Sequence, residues 1–210
     1  MAIIYATLAQ IKAAITDKSE AGAGFPTSGD TNLTRLENSA ARTIDKYVES
    51  ILGRPRTFVA SSDTTRTFHA LGDVIGTMLY TASDLAQTPT TVTHNNGATT
   101  VVLTTNYILR SKHAPHTAPY TALQLIDGTS WTYNTASTPV NAISITGRFA
   151  YSVTPPDDIV QATIQLTTSA WRQRHTTANV QAVTVSMDGT LIFPDGMPKQ
   201  VVDLLQAYLN

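Results

Sequence analysis

Histidines and carboxylates are the side chains in this sequence best suited to chemistry, and their spacing limits what they can do. His113 and His116 form an H-x-x-H pair. The pair lies in the proline-containing stretch 111–119 instead of on a helix, and no third ligand stands nearby, whereas zinc sites use three or four protein ligands. The spacing favours two solvent-facing loop histidines, so we expect no metal and no cofactor.

Asp157 and Asp158 are the nearest approach to a catalytic pair of carboxylates. Neighbouring residues point their side chains apart, and both acids fall in the first turn of a predicted helix, where the positive end of the helix dipole favours them. The sequence motifs of serine hydrolases, P-loop proteins and dinucleotide-binding proteins are missing. We therefore expect no catalytic residues and no enzymatic activity.

Composition narrows the remaining classes of function. Charged residues make up 14% of the chain against 42% hydrophobic residues, and threonine, which suits the surface of a β-sheet, is abundant. The formal net charge is −1 without a basic cluster, so the footprint of a nucleic-acid-binding protein is missing. Cysteine is absent, which excludes disulfides and thiolate metal sites. Because no apolar run approaches the about 20 residues of a membrane span, we expect a soluble protein.

Two amphipathic helices are predicted in the N-terminal quarter of the chain. The first covers about 8–16, where Thr7 and Gln10 are placed to form a capping box. The second carries one apolar stripe over five turns and ends at Gly53, since glycine readily adopts the left-handed conformation of a helix end. The residues of the stripe are Leu33, Leu36, Ala40, Ile44, Tyr47 and Ile51.

A β-prone region follows over about 57–151, where apolar and polar residues alternate. The Asn-Asn-Gly sequence at 95–97 separates two such runs and predicts a hairpin. Further strands are predicted at RTFVA, TRTFHA, NYILR, YTALQLI and NAISITGRFAYSV. The region is predicted to form a compact antiparallel sheet or a small barrel.

A long helix is predicted over about 155–174, with Thr154 as its N-cap and Pro155 in its first turn. Two apolar stripes run along it, and this width implies burial on more than one side. The first stripe consists of Ile159, Ala162, Leu166 and Ala170, and the second of Val160, Ile164 and Trp171. The Asp-Gly step at 188–189 then predicts a hairpin, and an amphipathic helix within 196–210 closes the chain.

Together these elements predict an α+β fold. It consists of a helical core of about four helices, an inserted antiparallel β-sheet or small β-barrel domain, and a C-terminal arm made of a hairpin and a short helix. The predicted boundaries are 1–56 for the N-terminal helical part of the core, 57–151 for the β domain, 152–177 for the long core helix and 178–210 for the arm.

Two sets of residues are predicted to contact other proteins. Trp171 is a candidate anchor, while Arg172 and Arg174 either complement the helix dipole or pair with acids across a subunit interface. We assign to a subunit interface the residues Ile159, Ile164, Trp171, Arg172 and Arg174. The stripe of the terminal helix either docks on the protein's own body or inserts into a partner's groove. This second set consists of Pro198, Val201, Leu204, Leu205 and Tyr208.

Three stretches in this order resemble a known family: LENSAARTIDKYVESILGRPRTF, TGRFAYSVTPPDDIVQATIQLTTSAWRQR and MPKQVVDLLQAYLN. The family is that of the head–tail connector (adaptor) proteins of long-tailed bacteriophages and related gene transfer agents. Its motifs are a tyrosine before a Gly-Arg step, a Gly-aromatic-x-Tyr strand leading into Pro-Pro-Asp-Ile, a helix ending in arginine, and a closing proline, leucine pair and tyrosine. The matching positions are Tyr47, Gly53, Arg54, Gly147, Phe149, Tyr151, Pro155, Pro156, Asp157, Ile159, Arg172, Pro198, Leu204, Leu205 and Tyr208.

The resemblance implies a structural virion protein at the head–tail interface, or neck, which is in the host cytoplasm before assembly. Members of the family form a ring of twelve copies under the portal and continue the DNA channel. The implied partners are further copies of the chain, the portal protein, a stopper or tail-terminator protein and, transiently, packaged DNA. The C-terminal segment would bind the portal, so deleting residues 197–210 is expected to leave a folded protein that no longer joins heads to tails. The chain departs from the family in its large β insertion and in the Leu209-Asn210 ending.

Two other functions fit parts of the sequence. A stopper or tail-completion protein would be mostly β-barrel, which the long predicted helices disfavour. A carbohydrate- or receptor-binding module of a virion would use the threonine-rich sheet together with an exposed platform of aromatic rings. The residues of that platform would be Tyr107, Tyr120, Trp131 and Tyr133.

Overall fold

A computed structural model of the chain describes residues 4–16, 29–95, 101–103, 105–112, 115–126, 128–133, 139–175, 183–193 and 196–209. Contacts divide the chain into two compact units. The helical unit comprises the residues up to Phe58 and those from Pro155 onward, and the β unit comprises Val59–Thr154. The described residues form four α-helices and antiparallel sheets, which confirms the predicted α+β class.

The first helix begins and ends where the sequence places it, and the second helix ends at the predicted glycine. Helix α1 (Leu8–Thr16) follows a capping box, in which the Gln10 N–H donates to Thr7 Oγ1 at 3.3 Å and the Thr7 N–H donates to Gln10 Oε1 at 2.8 Å. Helix α2 (Asp30–Leu52) ends at Gly53, whose φ of 65° is left-handed and whose N–H donates to the Glu49 carbonyl. Glycine adopts this conformation without steric cost.

Helix α3 (Asp157–His175) begins later than predicted. The amide groups of Ile159 and Val160 both donate to the Pro156 carbonyl at 3.0 Å, so Pro156 supplies the first acceptor and Thr154 is not the N-cap. The reason is that a proline disfavours the helical conformation of the residue before it, which here is Pro155. Helix α4 (Lys199–Leu205) follows Pro198 and continues into a 3₁₀ turn, Gln206–Tyr208.

The β unit contains two four-stranded antiparallel sheets. The strands are β1 (Thr64–Phe68), β2 (Val74–Ile75), β3 (Met78–Leu85), β4 (Thr91–His94), β5 (Val101–Leu103), β6 (Tyr107–Arg110), β7 (Tyr120–Leu125) and β8 (Ile143–Gly147). In the first sheet the strand order is β1-β8-β4-β5, and in the second sheet it is β2-β3-β7-β6. Strands β4 and β5 form the antiparallel pair expected around the Asn-Asn-Gly sequence.

One hydrophobic core joins the two sheets of the β unit. It combines inward-facing residues of the first sheet with those of the second and with Trp131. The fully buried members are Leu79, Leu85, Val92, Leu123, Ile143 and Ile145. Of these, Leu79, Val92, Ile143 and Ile145 alternate with less buried neighbours along their strands, as expected for antiparallel sheets that have one face in a core.

Three parts of the β prediction differ from the structure. The stretch RTFVA does not form a strand. Its Phe58 is buried in the helical unit, and its Val59 forms only an isolated bridge with Ser152. Strand β8 ends at Gly147 instead of continuing towards residue 151. Strand β3 was not predicted, because a bulge around Ala82, whose φ is 54°, interrupts its alternating pattern.

In the helical unit, α3 packs against α1, α2 and α4. The predicted C-terminal hairpin is present as β9 (Thr184–Val185) and β10 (Leu191–Ile192), with Gly189 at a φ of 82° in its turn. It lies on α2, where the Leu191 N–H donates to Thr43 Oγ1 at 2.8 Å. Among the described residues, no helix combines the length and apolar character required to span a bilayer.

Candidate functional site

The first apolar stripe of α3 lies inside the helical unit. Ile159, Ala162, Leu166 and Ala170 are fully buried, and the helix has neighbours from α1, α2 and α4. Ile159, which the sequence assigns to a subunit interface, thus belongs to the core of its own chain. A contact of Ile159 with another subunit stays a prediction, and it would require the helices that cover α3 to move away.

The second stripe of α3 faces α1. Ile164 and Trp171 are half-buried and pack, together with Val160, against a cluster from the segment before α1, from α1 itself and from the start of α2. The cluster consists of Ala6, Ile11, Ile15 and Leu33. Ile164 and Trp171 therefore have one side in the core and one towards solvent, which suits a residue that also contacts a neighbouring subunit.

The two arginines near the end of α3 differ in what the structure describes. Arg172 is exposed, whereas Arg174 lies within α3 with its side chain outside the described residues. A guanidinium at the C-terminal end of a helix complements the dipole and is also a common interface group. Arg172 is therefore placed both to complement the dipole of α3 and to contact a neighbouring subunit.

The apolar stripe of α4 docks on the protein's own body. Val201 and Leu205 are fully buried, Tyr208 is nearly so, and α4 packs against α3, while Pro198 and Leu204 are half-buried. The assignment of these residues to portal binding stays a prediction. It requires either that the helix leave this position or that the portal bind its outer side.

The aromatic residues predicted to stack on sugars belong to the core of the β unit. Trp131 is 8% exposed, and its Nε1–H donates to the Thr77 carbonyl at 2.9 Å. Tyr107, Tyr120 and Tyr133 pack against the same core. A stacking platform needs an exposed ring face. The buried Trp131 lacks one, whereas the three tyrosines are half-buried, so a platform of all four rings is not present.

The outer face of the second sheet carries exposed apolar side chains beside the polar pair Arg110 and Gln124, and the sequence pattern alone does not reveal it. Ile75 is 70% exposed, Tyr80 43% and Ile108 36%, and all three lie on the side of the sheet opposite the core. The Tyr80 hydroxyl lies 3.8 Å from the Met78 sulfur on the same face. Exposed apolar side chains grouped on one sheet face are a type of surface that proteins use to bind a partner.

The outer face of the first sheet differs in kind. Apart from Val102, its side chains are all threonine or serine, and Thr65 Oγ1 lies 2.8 Å from Thr146 Oγ1 across two strands. The hydroxyl-bearing residues of this face are Thr65, Thr67, Thr91, Thr93, Ser144 and Thr146. Since a face of this composition is stable in water, the second sheet, with its exposed isoleucines, is the better candidate for docking.

The β9–β10 hairpin carries a second group of exposed apolar residues. Val185, Met187 and Ile192 face solvent. The turn is fixed on α2 by an ion pair between Lys46 and Asp188 and by the contact of Leu191 with Thr43. The hairpin thus holds apolar side chains outward on a firm support, a property that the sequence pattern alone did not reveal.

Two carboxyl groups on α2, the buried Glu37 and the half-buried Asp45, hold the segment before α1. Glu37 Oε1 accepts the Tyr5 N–H at 2.9 Å, and Asp45 Oδ1 accepts the Tyr5 hydroxyl at 2.6 Å. Burial raises the pKa of Glu37 from 4.5 to about 7 and that of Asp45 from 3.8 to about 7, and burial also raises the pKa of Tyr5. The carboxyl groups thus hold the chain and are already occupied by these bonds.

A small, half-open pocket of about 70 Å³ lies beside Glu37. Its other lining residues are Ile4, Ala6, Leu8, Ile11 and Thr34. It is smaller than the about 300–1,000 Å³ typical of small-molecule sites and is almost entirely apolar. We assign no ligand to it.

The histidines described by the structure have local structural roles. His94 is buried, and its Nδ1 accepts the Thr132 N–H at 3.1 Å, while His69 Nδ1 accepts the Leu71 and Gly72 amides at 3.0 Å. His116 Nδ1 accepts the Ser111 N–H at 3.3 Å, and His113, the other member of the H-x-x-H pair, falls outside the described residues. The described part of the chain contains no group of three potential metal ligands.

Comparison with known proteins gives a likeness of fold. No family model matches the chain, and no curated protein matches it either. The chain is similar to one described as "Neck of empty GTA particle computed with C6 symmetry", with a TM-score of 0.56 and 15% identity over 97% of this chain and 88% of that one. It is also similar to a chain from the "Virion of native gene transfer agent (GTA) particle", with a TM-score of 0.53 and 15% identity over 84% and 83%.

Proposed function

We propose that the chain is a structural protein of the neck of a phage-like particle. In this role it is a head–tail adaptor, a ring-forming protein between the portal and the tail or stopper that continues the DNA channel. The observation that carries the proposal is the fold likeness to a particle neck protein over 97% of the chain, a length that includes both units. The motifs shared with head–tail adaptors support it independently.

The partners follow from this role. A head-to-tail contact that closes by rotation joins copies of one chain into a ring and uses two different surfaces of each copy. The exposed apolar groups on the second sheet and on the β9–β10 hairpin are two such surfaces. The neck reconstruction that supplies the fold likeness has C6 symmetry, which accommodates a ring of twelve copies as well as one of six.

Several assigned residues keep their proposed roles in this setting. Ile164, Trp171 and Arg172 contribute to contacts between copies, and α4 contributes to binding the portal. The low charge of the chain, with a net value of −1, suits a channel through which DNA passes, since a basic lining would bind phosphate strongly. The helical unit favours an adaptor over a stopper of mostly β structure.

The proposal predicts that particles from the strain that encodes the chain contain it in the neck. Mass spectrometry of purified, DNA-filled particles is expected to detect the chain in a fixed ratio to the portal, and imaging of the neck is expected to place it between head and tail. Because an adaptor ring bridges portal and tail, particles that lack the chain should carry DNA-filled heads without tails. Absence of the chain from intact particles would overturn the proposal.

The apolar face of the second sheet provides a second prediction. Replacing both Ile75 and Ile108 by lysine should reduce incorporation of the chain into particles by about tenfold or more, because charge is costly at the centre of an interface. The isolated protein should unfold at nearly the same temperature, since substitutions at exposed positions change stability by only about 0.5 kcal/mol. Quantitative mass spectrometry of particles and thermal unfolding measure the two effects.

Val102 and Thr91 provide the matched control for this experiment. They lie on the outer face of the first sheet, so Val102→Lys with Thr91→Lys introduces the same charge on the hydroxyl-bearing face. We expect this control protein to enter particles normally. Equal loss of incorporation in both double variants would refute a specific role of the second sheet.

A further inference from the structure

Three segments that are distant in sequence meet in one aromatic group of the helical unit. Tyr5 precedes α1, Phe58 follows α2, and Tyr208 ends the chain's last turn. The rings of Tyr5 and Phe58 meet edge to face with centroids 5.9 Å apart, and those of Phe58 and Tyr208 do so at 5.2 Å. All three residues are buried. We call these residues the Tyr5–Phe58–Tyr208 relay.

Hydrogen bonds tie the relay to the backbone at both ends. At one end the Tyr5 hydroxyl donates to Asp45 at 2.6 Å and accepts the Phe58 N–H at 2.9 Å. At the other end the buried Arg56 guanidinium donates to the Tyr208 carbonyl. Phe58 and Arg56 belong to one short stretch of chain, so that stretch is anchored by the N-terminal segment on one side and by the C-terminal segment on the other.

We propose that the relay makes α4 and the segment before α1 a single cooperative unit, so that the release of one loosens the other. When Tyr208 leaves, the Phe58 ring loses one of its aromatic neighbours and Arg56 loses a charge-assisted bond. The stretch 56–58 then holds the Tyr5 hydroxyl less firmly. Coupling between two segments is reciprocal, so loosening of Tyr5 also weakens the docking of α4.

The proposed function gives this coupling a use, and the inference rests on it only for that use. If the portal captures α4, the relay transmits that event to the N-terminal segment, which packs beside the second stripe of α3. Ile164 and Trp171 belong to that stripe and are candidates for contact with a neighbouring copy. Portal binding would thereby alter the surface that the next subunit meets.

Amide hydrogen exchange of the isolated full-length protein tests the coupling without any partner. Tyr5→Phe removes only the hydroxyl, and we expect it to accelerate exchange several-fold both in peptides covering 8–16 and in peptides covering 199–208. Exchange in β3 and β7 of the β unit should stay unchanged. Tyr208→Ala should in turn accelerate exchange in 8–16. If Tyr5→Phe accelerates exchange only at its own end, the two segments are independent and the inference is wrong.

Lys46→Ala is the control, because it removes the ion pair that holds the β9–β10 hairpin on α2 without touching the relay or the two segments it joins. It should accelerate exchange in 184–192 and leave 8–16 and 199–208 unchanged; acceleration of both segments by this variant would show general loosening and overturn the relay. If Tyr5→Phe does not fold, Phe58→Leu takes its place, since it removes the middle ring while keeping an apolar side chain. This test succeeds or fails independently of whether particles contain the chain.

Discussion

Deleting residues 197–210 is expected to unfold the helical unit while the β unit stays folded. The deletion removes Val201, Leu205 and Tyr208 from the core. Each buried side chain of this size contributes about 2–5 kcal/mol, so the total loss approaches the about 5–15 kcal/mol that stabilises a typical domain. The β unit should survive because its core draws on other residues. The sequence-based expectation that the deleted protein stays folded therefore needs revision.

The two tryptophans of the chain allow the units to be followed separately. Trp131 lies in the β unit and Trp171 in the helical unit. In a Trp131→Phe background the fluorescence of Trp171 should show no cooperative unfolding transition after the deletion. In a Trp171→Phe background Trp131 should report a normal transition in urea. An unchanged urea midpoint for Trp171 in the protein that lacks residues 197–210 would contradict the expected dependence of the helical unit's stability on α4.

The proposed portal binding needs a variant that leaves the helical unit folded. A deleted protein that fails to join heads and tails is uninformative if its helical unit is unfolded. Substitutions of the exposed ion pair between Lys199 and Asp203 avoid the difficulty, because both side chains lie mostly in solvent. Such a pair contributes at most about 1 kcal/mol, so its removal probes the outer side of α4 in a folded protein.

The sequence predicts most of the helical unit because its local signals agree with one another. The Thr7–Gln10 capping box, the apolar stripe of α2 and Gly53 each depend on residues within one or two turns. Helix α3 begins later than the sequence predicts. A single proline favours the first turn of a helix, but a second proline directly after it disfavours the helical conformation of the first. Strand β3 was missed because its bulge breaks the alternation on which strand prediction depends.

The candidate surfaces were less predictable, since exposure depends on how distant segments pair. Ile75 and Ile108 resemble core residues in the sequence, and only the register of β2 and β6 with their neighbours places them on the outer face. Tyr208 presents the opposite case. A tyrosine near the end of an amphipathic helix can occupy either a partner's groove or the core of its own chain. Here Tyr208 lies in the core, where its ring packs on Phe58 and its carbonyl accepts a bond from Arg56.

The two units are expected to respond to pH in opposite directions. In the helical unit the folded-state pKa values of Glu37 and Asp45 are raised to about 7, so the folded protein binds more protons than the unfolded chain between about pH 4 and 7. The stability from these groups is complete below about pH 4 and is lost as the pH rises to about 7. One pKa unit corresponds to about 1.4 kcal/mol, so each carboxyl group should lower the unfolding free energy by about 2 kcal/mol from pH 5.5 to 8.

His94 reverses this dependence in the β unit. Burial lowers its pKa below 6.5, and its Nδ1 accepts bonds from the Thr132 amide and hydroxyl, which only the unprotonated nitrogen can accept. The unfolded chain therefore binds the proton more readily than the folded protein. Stability from this group is complete above about pH 6.5 and is lost as the pH falls below that value.

Urea unfolding of the two single-tryptophan proteins at pH 5.5 and 8 measures both effects. The Trp171 midpoint should fall as the pH rises, and the Trp131 midpoint should fall as the pH decreases. Asp45→Asn keeps an acceptor for the Tyr5 hydroxyl but does not titrate, so it should reduce the first dependence by about half, since Glu37 still titrates, and His94→Gln should flatten the second. If Asp45→Asn leaves the slope of Trp171 unchanged, the carboxyl group is not held protonated by burial. Its bond to Tyr5 would then be that of an ordinary carboxylate, and the N-terminal segment would be held equally well at both pH values.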